Sequence, residues 1–269
     1  MDARQGASHD GIVMKIAVSG KGGSGKTTIA ALVAAELARR GIRVTVIDAD
    51  PNPTLGAALG FPPSPATSLL EMEDEIEERI GGGGGFIRLN PRVDDLVSRV
   101  AVAHDGIHLI VAGGITHGGA GCACPQSVLL RRLLEHVVME LDEAVIVDLE
   151  AGLEHLGRRS AHEVDAMLVV VDPSRASIET ARRIRRLASE IGVDRVLAVG
   201  NRVRGPADVE YISDQLDGLE LVGTIPYSDG VIEAERAGRP VTKVEGAVPA
   251  AVSRLTDTLV AMTKVQVRP

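Results

Sequence analysis

Aromatic side chains are scarce in this chain of 269 residues, which contains no tryptophan, two tyrosines and two phenylalanines. Proteins that bind single-stranded nucleic acid commonly stack exposed bases on aromatic rings, so this mode of binding is disfavoured. The formal net charge of -8 also repels a phosphate backbone. We therefore expect no nucleic-acid partner and a core built from aliphatic side chains.

Long apolar runs are absent as well. A membrane-spanning helix needs about 20 consecutive apolar residues, and no segment of the chain approaches that length. The first segment, MDARQGASHDGIV, is polar and lacks the basic start and apolar block of a signal peptide. We expect a cytoplasmic protein with no membrane partner, in which residues 1–13 form a loose extension.

Short aliphatic segments recur along the rest of the chain, mostly separated by amphipathic stretches. They read MKIAVS, RVTVID, GIHLIVAG, EAVIVD, DAMLVVVD, RVLAVG and LELVGTI. This alternation is typical of an α/β fold with a mostly parallel sheet and helices on both faces. The length and the 45% hydrophobic content suit a single domain, which we place at 14–269.

The strand rhythm lapses at about 61–91, which we interpret as an insertion in this domain. Ser68 and Glu71 form a capping box that predicts a helix there, and the acidic run EMEDEIEERI fits a solvated face of that helix. Five glycines at 81–85 then predict a flexible joint.

The segment VSGKGGSGKTT follows the first aliphatic segment and precedes a predicted helix. It satisfies GxxxxGK[ST], in which backbone N–H groups surround phosphates, a lysine meets the β and γ phosphates, and a hydroxyl binds magnesium. The predicted nucleotide-binding residues are Gly20, Lys21, Gly22, Gly23, Ser24, Gly25, Lys26, Thr27 and Thr28. We therefore expect ATP or ADP with Mg²⁺ at this loop.

A second interpretation of the same loop is a dinucleotide site. Gly20, Gly22 and Gly25 also spell GxGxxG, and Asp48 follows the next strand at about the spacing of a ribose ligand. However, Lys26 and Thr27 have no task in a dinucleotide turn. The phosphate loop of an ATPase is therefore the better interpretation.

Three aspartates follow predicted strands close to this loop. Asp48 and Asp50 lie in DADPNP, and Asp148 ends EAVIVD. Carboxylates at these positions fit magnesium binding and the orientation of an attacking water. A solvated acidic turn is the structural alternative for Asp48 and Asp50.

Both cysteines of the chain, Cys122 and Cys124, lie in the glycine-rich segment GGITHGGAGCACPQ. Two thiolates do not complete a tetrahedral soft-metal site, but a twofold axis beside the loop would bring four together. The alternatives are a site within one chain that uses His117, or two thiols without a metal. The basic segment ETARRIRRLASEIG fits a solvated helix face better than a nucleic-acid surface.

The segments KGGSGKTT, DADPNP and DLEAG together resemble the deviant Walker A ATPases of the MinD/ParA type, a branch of the SIMIBI class of P-loop NTPases. In that class an extra lysine, here Lys21, reaches the phosphates of a partner subunit. NPRVDDL, GCACPQ, DLEAGLEHLGR and DPSRAS further resemble the CooC-type nickel-insertion ATPases of carbon monoxide dehydrogenase maturation.

This resemblance implies a homodimeric metallochaperone that hydrolyses ATP and serves a nickel enzyme such as carbon monoxide dehydrogenase. Cys122 and Cys124 would bind nickel or zinc between the subunits, and Asp50 would position the hydrolytic water. Thr27 and Asp48 would serve magnesium, while Asn201 and Pro226 would contact adenine. An iron–sulfur cluster carrier of the same fold and a MinD/ParA-like positioning ATPase remain alternatives.

Overall fold

The computed structural model describes residues 13–50, 52–62, 78–79, 81–82, 86–87, 93, 95–112, 124–141, 143–150 and 158–262. Its strands are β1 (Met14–Gly20), β2 (Val44–Asp48), β3 (Gly81–Gly82), β4 (Phe86–Ile87), β5 (Val102–His104), β6 (Ile107–Val111), β7 (Ala144–Asp148), β8 (Ala166–Val171), β9 (Val196–Val203) and β10 (Glu220–Pro226).

The helices of the described residues cover both faces of the sheet. They are α1 (Lys26–Arg39), α2 (Leu55–Leu59), α3 (Leu96–Val100), α4 (Cys124–Glu140), α5 (Arg158–Glu163), α6 (Arg175–Ile191), α7 (Pro206–Gln215), α8 (Asp229–Arg236), a 3₁₀ turn at Val241–Lys243, and α9 (Ala247–Met262). None of these helices is long and apolar enough to cross a membrane.

Eight strands form one sheet in the order β10-β9-β8-β1-β7-β2-β6-β5. All neighbouring pairs are parallel except β5 and β6. Each of the seven aliphatic segments identified in the sequence forms a strand of this sheet. The predicted α/β fold with a mostly parallel sheet is therefore confirmed.

Alternating residues of the central strand β1 face two separate cores. Ile16 and Val18 pack in one cluster with Leu37 of α1 and Leu255 of α9. Ala17 points to the opposite cluster, which contains side chains of α4 and α6. Because both faces are covered, the central strands are buried along their whole length and are mostly apolar, as is typical of parallel strands.

Strand β5 was not predicted from the sequence. It runs antiparallel to β6 at one end of the sheet and turns through Asp105 and Gly106, whose φ angles are 47° and 79°. Positive φ at two successive residues is typical of a type I′ hairpin turn, for which Asp-Gly is a preferred sequence. The signal was therefore present, but the strand of three half-exposed or exposed residues was too short to stand out.

The predicted flexible joint was wrong for two of its five glycines. Gly81 and Gly82 pair antiparallel with Phe86 and Ile87, because a glycine can join a ladder through its backbone alone. Glycines 83–85 and the predicted capping box of the preceding helix lie outside the described residues. The insertion boundaries remain a prediction.

Two arginines on the basic face of α6 make hydrogen bonds to a neighbouring segment of the protein. Arg182 donates to the carbonyl of Gln215, and Arg185 donates to the carbonyl of Asp217. Gln215 is the last residue of α7, where carbonyls lack partners within the helix and attract cations, and Asp217 lies two residues beyond it. Two of the four arginines therefore hold α6 against α7.

Candidate nucleotide-binding site

The sheet brings the predicted phosphate loop and two aspartates to the same edge. The loop follows β1, Asp48 is the last residue of β2, and Asp148 is the last residue of β7. In the strand register, Asp148 lies opposite Asp48 on one side and opposite Val18 on the other. The C-terminal edge of a parallel sheet is where such folds bind ligands, so these residues form the candidate site.

The loop from Gly20 to Gly25 joins β1 to α1, and within it the backbone N–H of Ser24 donates to the carbonyl of Lys21 at 3.0 Å. Gly25 has a φ of 93° and immediately precedes α1, a backbone conformation that L side chains rarely adopt. The helix dipole then adds positive potential at the loop. Lys26, the first residue of α1, is only 7% exposed. Lys21 is half-buried, and Gly22 beside it is exposed.

Asp48 is buried and held by backbone donors. It is 1% exposed, and its carboxylate accepts hydrogen bonds from the backbone N–H groups of Leu55 at 2.8 Å and Asp50 at 3.3 Å. Burial raises the pKa of Asp48 to about 6, although these two donors favour the charged form. The contact with Leu55 ties the start of α2 to the site.

Asp148 is equally buried but is not held by such donors among the described residues. It is 1% exposed, and neither carboxylate oxygen has a hydrogen-bond partner of good geometry in that part of the chain. Burial raises the pKa of Asp148 to about 7, while the nearby Thr27 hydroxyl favours the charged form. The charge of Asp48 raises this pKa further, and the charge of Lys26 lowers it.

This arrangement fits a divalent cation with oxygen ligands. Two carboxylates and the Thr27 hydroxyl lie beside a loop whose N–H groups suit phosphate oxygens, and Mg²⁺ prefers such ligands together with phosphates. A buried carboxylate without a partner is costly, and a cation would remove that cost at Asp148. The three side chains that were predicted from the sequence to bind magnesium therefore lie in one place in the fold.

Asp50 lies in the loop between β2 and α2. Its carboxylate accepts a hydrogen bond from the backbone N–H of Asn52 at 2.8 Å, which fixes the turn as an aspartate side chain often does. The side chain is half-buried, and its charge contributes to the raised pKa values of Asp48 and Asp148. It therefore belongs to the same electrostatic cluster.

A cavity beside the loop contains both residues that were predicted to contact adenine. Its lining includes Thr28, Asn201, Pro226, Tyr227, Val231 and Glu235. Thr28 donates a hydrogen bond of 2.7 Å to Glu235, and the guanidinium of Arg204 lies 3.9 Å from the centre of the Tyr227 ring. Apolar walls with a few polar groups suit a purine base.

Sequence reasoning missed Tyr227 and Glu235. Glu235 meets Thr28 across 207 positions of the chain, and no local pattern marks such a contact. Tyr227 directly follows Pro226, so its place beside the predicted base contact was accessible from the sequence.

Most of the residues that were predicted to bind a soft metal lie outside the described part of the chain. Cys122 and His117 are not among the described residues, and Cys124 is described only as the first backbone position of α4. The helix predicted after the cysteines, from about residue 126 to residue 139, is confirmed with slightly wider bounds. The intersubunit metal site remains a prediction.

A glycine-rich loop that leads into a helix opposite strand-end carboxylates defines a P-loop nucleotide-binding protein. Residues 15–241 match the family described as the CobQ/CobB/MinD/ParA nucleotide binding domain. The chain belongs to this family.

Two relatives resemble most of the chain. An uncharacterized ATP-binding protein of Methanocaldococcus jannaschii is 43% identical over 235 residues, which cover 85% of this chain and 91% of the relative. The carbon monoxide dehydrogenase accessory protein CooC of Rhodospirillum rubrum is 40% identical over 231 residues, which cover 84% and 88%. The resemblance to CooC-type ATPases that the motifs indicated is confirmed.

Solved structures with the same fold include MinD proteins. The MinD cell division protein of Aquifex aeolicus matches with a TM-score of 0.66 at 21% identity, covering 93% of this chain and 96% of that protein. The septum site-determining protein MinD of Pyrococcus horikoshii, complexed with Mg-ADP, matches with a TM-score of 0.66 at 19% identity, covering 91% and 95%. At these identities the likeness concerns the fold alone.

The loop geometry predicts different effects for two glycine substitutions. Gly25→Ala forces a side chain into a backbone with φ of 93°, and its Cβ would lie 2.2 Å from Nδ2 of Asn201. Gly205→Ala is the control, because Gly205 lies outside the loop, its φ of 178° suits any residue, and its Cβ would meet no described atom within 4 Å. We expect Gly25→Ala to weaken ATP binding by at least about tenfold and Gly205→Ala to retain it. Isothermal titration calorimetry measures both, and equal affinities would contradict the described loop.

The two buried carboxylates predict how stability depends on pH. The folded pKa of Asp148 is about 7, above its ordinary value of 3.8, so the folded state binds more protons than the unfolded state between these values. In the absence of Mg²⁺, the free energy of unfolding should therefore fall as pH rises from about 4 to about 7. The Asp148→Asn variant should show a weaker decline, because only Asp48 then contributes.

Urea denaturation of both proteins at pH 5 and pH 8 measures this difference. Added Mg²⁺ should stabilise the wild type at pH 8, where the carboxylates are charged, and have little effect at pH 5. An equal pH dependence in wild type and Asp148→Asn would show that Asp148 does not titrate as described.

Proposed function

We propose that this protein is an ATP-hydrolysing metallochaperone that works as a homodimer in the cytoplasm and inserts nickel into a client enzyme such as carbon monoxide dehydrogenase. The observation that carries the proposal is the buried carboxylate of Asp148, which lies next to Asp48 and the phosphate loop and has no hydrogen-bond partner of good geometry among the described residues. It occurs in a chain that is 40% identical to the accessory protein CooC.

Each part of the site has a task in binding ATP. The loop N–H groups and Lys26 bind the β and γ phosphates, and Asn201 and Pro226 contact the adenine. Thr27, Asp48 and Asp148 would hold Mg²⁺ directly or through water, and the ion would supply positive charge to neutralise the phosphates. The raised pKa values of both aspartates support this role, because a cation would keep them charged.

Hydrolysis requires a positioned water and a further positive charge. Asp50 follows β2 at the same edge of the sheet and has one carboxylate oxygen fixed by Asn52, so it can orient the attacking water. Lys21 lies next to the exposed Gly22 and Gly23 on the outer side of the loop. A second subunit that docks on this side would place its own Lys21 at the phosphates.

The metal site is formed by the same dimer. Cys122 and Cys124 of both subunits supply four thiolates, a ligand set that accepts nickel or zinc. Because ATP and the metal each favour the closed dimer, each ligand raises the affinity for the other. Hydrolysis weakens the closed state and releases the metal to the client enzyme.

A mixing experiment tests whether Lys21 acts on the partner's nucleotide. Lys21→Ala and Asp50→Ala should each hydrolyse no ATP as pure proteins, while both still bind it. A heterodimer of the two contains one complete site if Lys21 acts across the interface. An equal mixture should therefore recover about a quarter of the wild-type rate, because half of the dimers are mixed and each has one working site. A phosphate-release assay measures this recovery.

The Lys26→Ala variant serves as the comparison in that assay. Lys26 belongs to the loop of its own subunit, so its loss should abolish ATP binding. Absence of any recovery in the mixture of Lys21→Ala with Asp50→Ala, despite dimers in solution, would show that Lys21 acts within its own subunit.

Replacing both cysteines tests the metal site. The double variant Cys122→Ser, Cys124→Ser should lose bound nickel or zinc and metal-induced dimerisation, because serine hydroxyls do not replace thiolates, while ATP binding is retained. Elemental analysis and size-exclusion chromatography with light scattering measure the two losses. Unchanged metal content would reject the assignment, and a brown wild-type protein after anaerobic purification would instead favour an iron–sulfur carrier.

A further inference from the structure

Asn201 lies between the base cavity and the phosphate loop. Its side chain is 6% exposed, lines the cavity with Pro226, and donates from Nδ2 to the backbone carbonyl of Ser24 at 2.8 Å. The two residues are 177 positions apart, so this buried hydrogen bond joins the end of β9 to the loop after β1.

The chemistry of the contacts fixes which way the amide points. Ser24 offers a carbonyl, which only accepts, and the backbone N–H of Arg202 only donates to Oδ1 of Asn201 at 2.9 Å. An amide turned the other way would lose both hydrogen bonds. Arg202 itself has a φ of 58°, so the same side chain also satisfies a backbone held in an uncommon conformation.

The loop leaves room for this amide at one position. A Cβ atom on Gly25 would lie 2.2 Å from Nδ2 of Asn201, so the amide rests directly on the backbone of Gly25. Glycine at this position therefore serves two needs, the positive φ and the close approach of Asn201. The consensus GxxxxGK[ST] explains the first need but does not mention the second.

We propose that Asn201 is a positioning residue that holds the phosphate loop in its binding conformation through Ser24, independently of any contact with the base. This inference rests on the proposed nucleotide site and extends it. A loop that is fixed before the ligand arrives loses less conformational freedom on binding. The same side chain joins the two halves of the site, so the base cavity and the phosphate loop are coupled.

A ligand without a base separates this role from a contact with adenine. Inorganic tripolyphosphate with Mg²⁺ occupies the phosphate loop only, so a pure base contact would not affect its affinity. Asn201→Asp keeps the shape and the acceptor for Arg202 but loses the donor to Ser24, and Asn201→Ala loses the same donor without adding a negative charge. We expect both variants to weaken tripolyphosphate binding about tenfold and to weaken ATP binding at least as much.

Ile232→Ala is the matched control. Ile232 lines the same cavity from α8, and its backbone N–H donates to Ser228 and not to the loop. It should weaken ATP binding and leave tripolyphosphate affinity unchanged. Calorimetry measures all affinities, and thermal unfolding without ligand checks that each variant is folded.

A double-mutant cycle provides a second measurement. Asn201→Ala removes the atom that a side chain at position 25 would meet, so Gly25→Ala should cost less tripolyphosphate affinity in that background than in the wild type. Equal costs in both backgrounds would overturn the contact. Wild-type affinity for tripolyphosphate in either Asn201 variant, or no tripolyphosphate binding by the wild type, would overturn the proposal.

The ATP hydrolysis rate of the wild type distinguishes this inference from the proposed function. A protein that binds nucleotide and tripolyphosphate as expected but hydrolyses no ATP would contradict the proposed function and leave the role of Asn201 intact.

Discussion

Two buried carboxylates lie side by side at the ends of neighbouring strands, and the site depends on how their charge is compensated. Among the residues that the structure describes, Asp48 has backbone donors, whereas Asp148 has no donor of good geometry. Both carboxylates are buried from water, so keeping either of them charged at neutral pH costs free energy. The parallel sheet enforces this closeness, because the register places Asp48 directly opposite Asp148. A cation bound with the nucleotide phosphates would stabilise a pair that the fold alone leaves uncompensated.

Much of this arrangement was predictable because it follows from local patterns. Aliphatic segments mark the strands, the P-loop consensus marks the loop, and parallel strands collect their C-terminal residues at one edge. What escaped prediction depends on contacts between distant parts of the chain. The hydrogen bonds from Thr28 to Glu235 and from Asn201 to Ser24 each join residues more than 170 positions apart. No periodicity or consensus records such contacts, and β5 was simply too short.

The sheet and loop place the chain in a family, but they do not distinguish a metallochaperone from a cell-division ATPase. MinD proteins share the fold at 19–21% identity. In the proposed mechanism, the distinction lies in Cys122 and Cys124, the second of which is the first backbone position of α4. In such a mechanism, ATP binding is coupled to dimer formation. The same conformational change could then have different functions in different relatives, according to the residues at each dimer interface.

Proton release on binding tests the central role of the carboxylate pair most directly. At pH 6, Asp148 is mainly protonated because its pKa is about 7, and binding of ADP with Mg²⁺ should expel its proton. Calorimetry in buffers of different ionisation enthalpy counts the protons released. Wild type should release about one proton more per site than Asp148→Asn. Equal release by the two proteins would contradict the account that the cation binds to the charged form of Asp148.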